Sequence, residues 1–212
     1  MNTHFISARN FWLAVWVSSL LTGVCQAQTP AAAPAASATE PVKLARESPR
    51  YLLMGTHGRA VRAEDFRERF QLIAFGFVSC PDVCPTTMLD MQQLLVALGE
   101  RSQRLQPIFI TIDPQRDTLE VLKAYAANFD QRILGLTGSA ELIRFAANNF
   151  KVEYRKVQEP GAPPSVYTMD HSAGMFLLGP DGQLLKKFGY GTPVIEMVAV
   201  IDKWMQAEGG GH

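Results

Sequence analysis

Two cysteines, Cys80 and Cys84, stand four apart in FVSCPDVCPTTM (residues 77–88), and a proline follows each. Thiols this close act either as a redox couple or as a pair of soft metal ligands. A purely structural bridge is the weaker alternative, because so short a loop removes little entropy from the unfolded chain. Thioredoxin-type exchange uses two residues between its cysteines. Here Pro81, Asp82 and Val83 intervene, so the pair can open wider. That opening suits copper(I), a soft ion that favours thiolate ligands. Proline in a helix interior loses a hydrogen bond and clashes with an earlier carbonyl. Pro85 is therefore expected at the first helical position, with Cys84 at the cap and residues 80–83 as the loop. At that place the positive end of the helix dipole favours a thiolate.

A two-thiolate site has room for a third donor. His4 lies in the N-terminal leader, His57 sits in a turn beside Gly58 where a solvated role is expected, and His212 ends the chain. His171, in YTMDHSAGMFLL, stands just before an apolar run expected to be a buried strand. A lone histidine is more often an ordinary polar residue. In a domain with a thiol pair and no better-placed partner, His171 becomes the candidate third ligand. Cysteine and histidine in a two-to-one ratio also suit zinc, but no candidate general base accompanies them, so a zinc hydrolase is poorly supported. A peroxidase lacks the expected thiol context.

Twenty basic and twenty acidic side chains cancel in a chain of 212 residues. The balance gives no basic excess for nucleic acid and no acidic tail for a charged partner. The N-terminus is distinctive. Arg9 precedes FWLAVWVSSLLTGVC (residues 11–25), and the apolar run meets QAQ, which puts a signal-peptide cleavage site after Ala27. The run is short for a spanning helix, which takes about 20 apolar residues, although an uncleaved anchor has the same flanks. A lipoprotein fits less well, because Val24 precedes Cys25 where a small residue is expected. Each reading puts the domain outside the cytoplasm, and cleavage leaves Cys80 and Cys84 as the only cysteines. Residues 28–41, QTPAAAPAASATEP, have no bulky apolar group, and they open a flexible linker that runs to residue 48. The folded domain is expected over 49–207, with 208–212 as a frayed tail.

These donors need elements to hold them. YLLM, the turn GTHGR and AV predict an opening hairpin over 51–62. LIAFGFV (72–78) and PIFITI (107–112) are continuous apolar runs, as buried strands are. Between them Met88, Met91, Leu94, Leu95 and Leu98 recur at helical spacing, with Gly99 as the stop. Asp117 with Glu120 predicts a capping box for a second helix, whose apolar face is Leu119, Leu122, Ala126 and Phe129. ILGL (133–136) is a short run that fits either state. SAELIRFAANNF (139–150) predicts a helix capped by Ser139 that buries Leu142, Phe145, Ala146 and Phe150. KVEYRKV (151–157) alternates as a strand does, VYTM (166–169) is a further strand segment, and MFLL and QLLKKF flank a hairpin turn at Gly179–Gly182. Thr192 and Pro193 open the last helix, which buries Val194, Met197, Val198, Ile201, Trp204 and Met205. Alternating strands and helices, closed by an antiparallel hairpin and a helix, predict an α/β fold of the thioredoxin-like kind. Its central mixed sheet is flanked by helices, with an N-terminal hairpin added.

FGFVSCPDVCPTTM, TIDPQRDT and YTMDHSAGMFLLGPDG together resemble the SCO/SenC family, the copper chaperones of cytochrome c oxidase assembly. The resemblance runs from about residue 50 to 205 and is carried by the C-P-x-x-C-P segment with its distal D-H-S. It implies a thioredoxin-like fold and copper held by Cys80, Cys84 and His171. It also implies delivery to the binuclear copper centre of the oxidase from the periplasm, soluble or tethered. Other periplasmic copper carriers or thiol reductants are further partners it allows. Ser79 stands where relatives often carry histidine. Asp82 falls inside the family motif, and Asp113 and Asp117 match its D-P-x-x-D-T segment, where a strand end and a helix cap are sufficient roles. The rival function is a thiol–disulfide oxidoreductase that reduces the oxidase's copper-ligating cysteines. It would use Cys80 and Cys84 and would not need His171.

Overall fold

The structure, a computed structural model, describes residues 48–209. The leader, nearly all of the linker and the last three residues lie outside the described residues. So does the expected cleavage site after Ala27. No described helix is long and apolar enough to cross a membrane.

A seven-stranded mixed sheet has the order β2-β1-β5-β4-β3-β8-β9. An interior strand of it, β3 (Phe70–Gly76), has all of its residues buried. On one side β3 pairs in parallel with β4 (Leu105–Thr111), in register from Phe70 with Leu105 to Gly76 with Thr111. On the other it pairs antiparallel with β8 (Met175–Leu178), Gln71 opposite Leu178 and Ala74 opposite Met175. Covered on both faces, such strands have no polar side to alternate with, which is why their sequences run continuously apolar. The one long polar side chain in β3, Gln71, is satisfied: Tyr51 Oη donates to its Oε1 at 2.7 Å, and its Nε2 donates to the Ala63 carbonyl at 3.1 Å. Those bonds pin the opening hairpin, β1 (Leu52–Gly55) and β2 (Ala60–Arg62), to the core. Strand β5 (Leu134–Thr137) completes the sheet between β4 and β1, and β9 (Leu184–Phe188) forms the far edge beside β8.

Helix α1 (Val83–Leu98) follows β3 and buries Met88, Met91, Leu94, Leu95 and Leu98. Gly99 ends it at φ +55°, a left-handed conformation that glycine adopts without a Cβ penalty. Helix α4 (Val194–Gly209) packs against α1 through buried Met197, Ile201 and Met205. Helices α2 (Leu119–Ala127) and α3 (Ala140–Asn149) pack on β5 and β1. The expected α/β thioredoxin-like architecture is therefore present.

Four local expectations need correction. Helix α1 begins at Val83, with Asp82 rather than Cys84 at the cap, so Pro85 sits at the third helical position. Proline is tolerated there because the first four helical N–H groups have no intrahelical partner to lose. Helix α2 is capped by Thr118, whose hydroxyl accepts from Val121 N, and Asp117 turns inward instead. Helix α3 is capped by Ser139 as expected, but it buries Ile143, Ala146 and Ala147 while Leu142 and Phe145 are exposed. Small alanines allow that face closer approach to the sheet than a face led by Leu142 and Phe145. Thr192 does not cap α4; its hydroxyl donates to the Gly189 carbonyl at 2.8 Å.

Strands β6 (Tyr154–Val157) and β7 (Thr168–His171) stand apart as a separate two-stranded ribbon, with Tyr154 opposite His171. His171 is thus the last residue of β7 and, as expected, stands just ahead of a buried strand, β8.

Candidate metal centre

The C-terminal end of β3 and the start of α1 position the thiols. Cys80 N–H donates to the Phe77 carbonyl at 3.2 Å, which folds the loop back on the strand end. Cys84 N–H points at Cys80 Sγ, 3.4 Å away. The sulfur thereby occupies the acceptor position that the Asp82 side chain leaves empty, since Asp82 makes no side-chain cap. Both cysteines are free thiols; Cys84 is buried and Cys80 is partly exposed. Burial pushes the Cys84 thiol well above its ordinary range, a backbone hydrogen bond at Phe77 opposing the shift and Cys80 adding to it. Burial thus acts against the thiolate that the helix start was expected to favour. A cation at the sulfur supplies the charge that the site otherwise lacks.

Glycine is required beneath this sulfur. A Cβ at Gly76 would lie 2.7 Å from Cys84 Sγ and 2.9 Å from the Phe109 ring, and both neighbours are buried. The backbone of β3 passes so close to Cys84 that no side chain fits between them.

His171 comes from the ribbon. Its Nε2 lies 3.6 Å from Cys84 Sγ, and its Nδ1 lies 3.0 Å from the Ser172 carbonyl. A carbonyl only accepts, so Nδ1 carries the proton and Nε2 presents its lone pair toward the thiols. The imidazole also meets the Phe77 ring edge-on, centroids 6.1 Å apart at 82°. The donor atoms of Cys80, Cys84 and His171 all lie within 4.8 Å of one another, and among the described residues they form the group of three suited to a metal ion. Two thiolates and one neutral imidazole nitrogen are a soft donor set that fits a soft ion better than a hard one.

The other sequence candidates fall elsewhere. His57 is exposed in the β1–β2 turn, where its Nδ1 accepts from Arg59 N at 3.2 Å. Asp82 is exposed and lends only its carbonyl, to Thr86 N and Oγ1. Asp117 is almost fully buried, and its Oδ2 accepts from Val78 N at 3.0 Å and from Thr111 Oγ1 at 2.6 Å. It therefore braces the strand end two residues before Cys80. Burial pushes its carboxyl up, against the hydrogen bonds from Thr111 and Val78. Asp113 is also buried; it pairs with Arg116 and accepts from Tyr167 Oη at 2.9 Å. Nothing in the sequence pattern singled out Gly76, Phe77, Arg116 or Tyr167 as neighbours of the site. The TIDPQRDT segment was the one available sign for Arg116.

Comparison with known proteins agrees with this geometry. The family model described as SCO1/SenC matches residues 39–206. The SCO2-like protein of Rickettsia felis is 38% identical over 136 residues, which cover 64% of this chain and 66% of that relative. The chain thus spans just under two thirds of that relative's length. Arabidopsis thaliana ScoI, solved with copper bound, superposes with a TM-score of 0.69 at 29% identity, covering 76% of this chain and 99% of that structure. Bradyrhizobium japonicum ScoI, also with copper bound, gives 0.67 at 32% identity, covering 73% and 97%. A family match over most of the chain, joined to a shared fold, shows that this protein belongs to the SCO1/SenC family.

Proposed function

We propose that this protein is an extracytoplasmic copper carrier that binds copper(I) through Cys80, Cys84 and His171. It delivers the ion to the binuclear copper centre of cytochrome c oxidase. The observation that carries the reading is the approach of His171 Nε2 to Cys84 Sγ, 3.6 Å across a gap between separate elements. A nitrogen lone pair aimed at two sulfurs completes a three-donor set for a soft ion, whereas thiol exchange needs only a thiolate and a partner sulfur. The copper-bound relatives and the family match support the choice of ion.

Binding in this reading releases protons, because thiolates and not thiols are the ligands. Oxidised protein therefore binds copper far more weakly than reduced protein. Cys84 is buried whereas Cys80 and His171 are partly exposed, so an incoming ligand on the receiving subunit reaches Cys80 and His171 first. Transfer proceeds by exchanging those two donors before Cys84 lets go. Residues 1–27 export or anchor the domain, 28–48 tether it, and 49–207 carry the site.

The free thiol pair equally supports a second reading, reduction of the oxidase's copper-ligating cysteines. His171→Ala separates the two. Copper affinity is expected to fall, each tenfold loss amounting to about 1.4 kcal/mol. Exchange at Cys80 and Cys84 should persist, since it needs only a thiolate and a partner sulfur. Failed oxidase assembly in cells carrying this variant supports delivery. Normal assembly despite lost copper binding would replace it with the reductase reading.

A further inference from the structure

The ribbon that carries His171 shares no strand pairing with the main sheet, so something else must set the histidine's distance from the thiols. From the residues that join the two bodies, we infer that Arg116 and Tyr167 are positioning residues: with Asp113 they form a clamp that holds the His171 strand against the thiol-bearing core. The inference rests on the proposed copper site and concerns how that site is kept in shape.

Tyr167 immediately precedes β7, four residues before His171. The Arg116 guanidinium stacks 3.9 Å from the centroid of the Tyr167 ring, and its Nη1 donates to the Tyr167 carbonyl at 3.0 Å. Lys156, on the other strand of the ribbon, places its ammonium 3.7 Å from the same centroid. Tyr167 Oη donates to Asp113 Oδ1 at 2.9 Å, while Arg116 Nε donates to Asp113 Oδ2. One buried carboxylate therefore grips both the tyrosine and the arginine, and the arginine grips the ribbon backbone. A planar guanidinium that stacks and hydrogen-bonds at once fixes orientation as well as distance.

The clamp continues to the thiol side. Asp113 N–H donates to Thr111 Oγ1 at 2.9 Å, Thr111 Oγ1 donates to Asp117 Oδ2, and that oxygen accepts from Val78 N. Arg116 also lies 5.8 Å from the Phe77 ring that His171 meets edge-on. An unbroken set of contacts thus leads from the strand entering His171 to the residues just before Cys80. Tyr154 and Met169 also pack on the core, and the Arg144 guanidinium lies 5.4 Å from the Tyr154 ring centroid.

The test is copper(I) affinity of the reduced full domain, measured by competition with bicinchoninate. Tyr167→Leu and Arg116→Met are each made in the native and the His171→Ala backgrounds. With His171 present, each change should weaken copper about tenfold, the lower end for loss of an outer partner of a metal ligand. In the His171→Ala background neither should matter, and the Cys80–Cys84 reduction potential of the metal-free protein should stay unchanged. Equal losses in both backgrounds, no loss with His171 present, or a shifted thiol potential would each overturn the clamp. Arg116→Met strands a buried Asp113, so if it fails to fold Tyr167→Leu, at a half-buried loop position, decides the matter alone. If His171→Ala itself leaves affinity untouched, the proposed copper site fails and the clamp with it. If that variant weakens binding while Tyr167→Leu does not, the clamp alone fails.

Discussion

The two sulfurs and the nitrogen of this site are held in opposite ways. The sulfurs follow β3, a strand buried at every residue, with α1, Gly76 and Phe109 closing around Cys84. The nitrogen hangs on a ribbon of two strands whose residues are exposed or half-buried, and which pairs with nothing else. Core packing cannot be moved without unfolding cost, whereas a ribbon held by a few side chains can lift at a small fraction of global stability. The proposed carrier would benefit from that division: buried Cys84 would keep the ion longest, and the nitrogen on the ribbon would add affinity that can be withdrawn when the ion is passed on.

The largest break in this contrast comes from the fixed side. Cys84→Ser should reduce copper(I) affinity by more than about 100-fold, since it removes a soft ligand rather than one of its supports. A chelator competition that shows less than tenfold loss would place the ion elsewhere. Gly76→Ala attacks the same side without touching a donor. Its added methyl meets Cys84 Sγ and the Phe109 ring in a region with no slack, so overpacking should cost about 1–3 kcal/mol in urea unfolding. An unchanged unfolding midpoint would show that β3 can yield.

Asp117→Ala should cost about 1 kcal/mol by leaving the half-buried Val78 N–H without its acceptor. The carboxyl also predicts a pH effect. Because burial raises its pKa in the folded state, folding favours the protonated form. That contribution is complete below the unfolded pKa and is lost as pH rises through the folded one. Asp117→Asn keeps an acceptor oxygen without the charge, so its stability should fall less with rising pH across the carboxylate range. A parallel pH profile for the two proteins would contradict this.

The smallest effect is expected on the ribbon. Arg155 and Asp170 form an exposed ion pair at 2.7 Å across β6 and β7, and such pairs contribute little. Arg155→Ala should change stability by less than about 0.5 kcal/mol. A larger loss would mean that surface charge, not the Arg116–Tyr167 contact, holds the ribbon's shape.

The donors were legible from sequence because their chemistry is rare: two thiols with proline punctuation and one histidine ahead of a buried strand leave few alternatives. The strands β3 and β4 were legible because burial on both faces writes itself as an unbroken apolar run. What stayed hidden was relational. Asp117 and Thr118 both satisfy the preference for a helix cap, and only the neighbouring Val78 N–H decides that the aspartate turns inward. In α3 the bulky Leu142 and Phe145 look more core-like than Ile143, Ala146 and Ala147, yet close helix–sheet approach selects the small residues. The start of α1 was placed late because proline is strictly excluded only after the first turn. Arg116 and Tyr167 lie 51 positions apart, and no local pattern announces that they stack.

The central claim is that one ion is held by both regions at once. X-ray absorption of the copper(I)-loaded, reduced protein reads this directly, with His171→Ala as the reference. The account predicts two sulfur and one nitrogen neighbours around copper in the native protein, and loss of the nitrogen alone in the variant. A sulfur-only shell in the native protein, identical to that of His171→Ala, would contradict it.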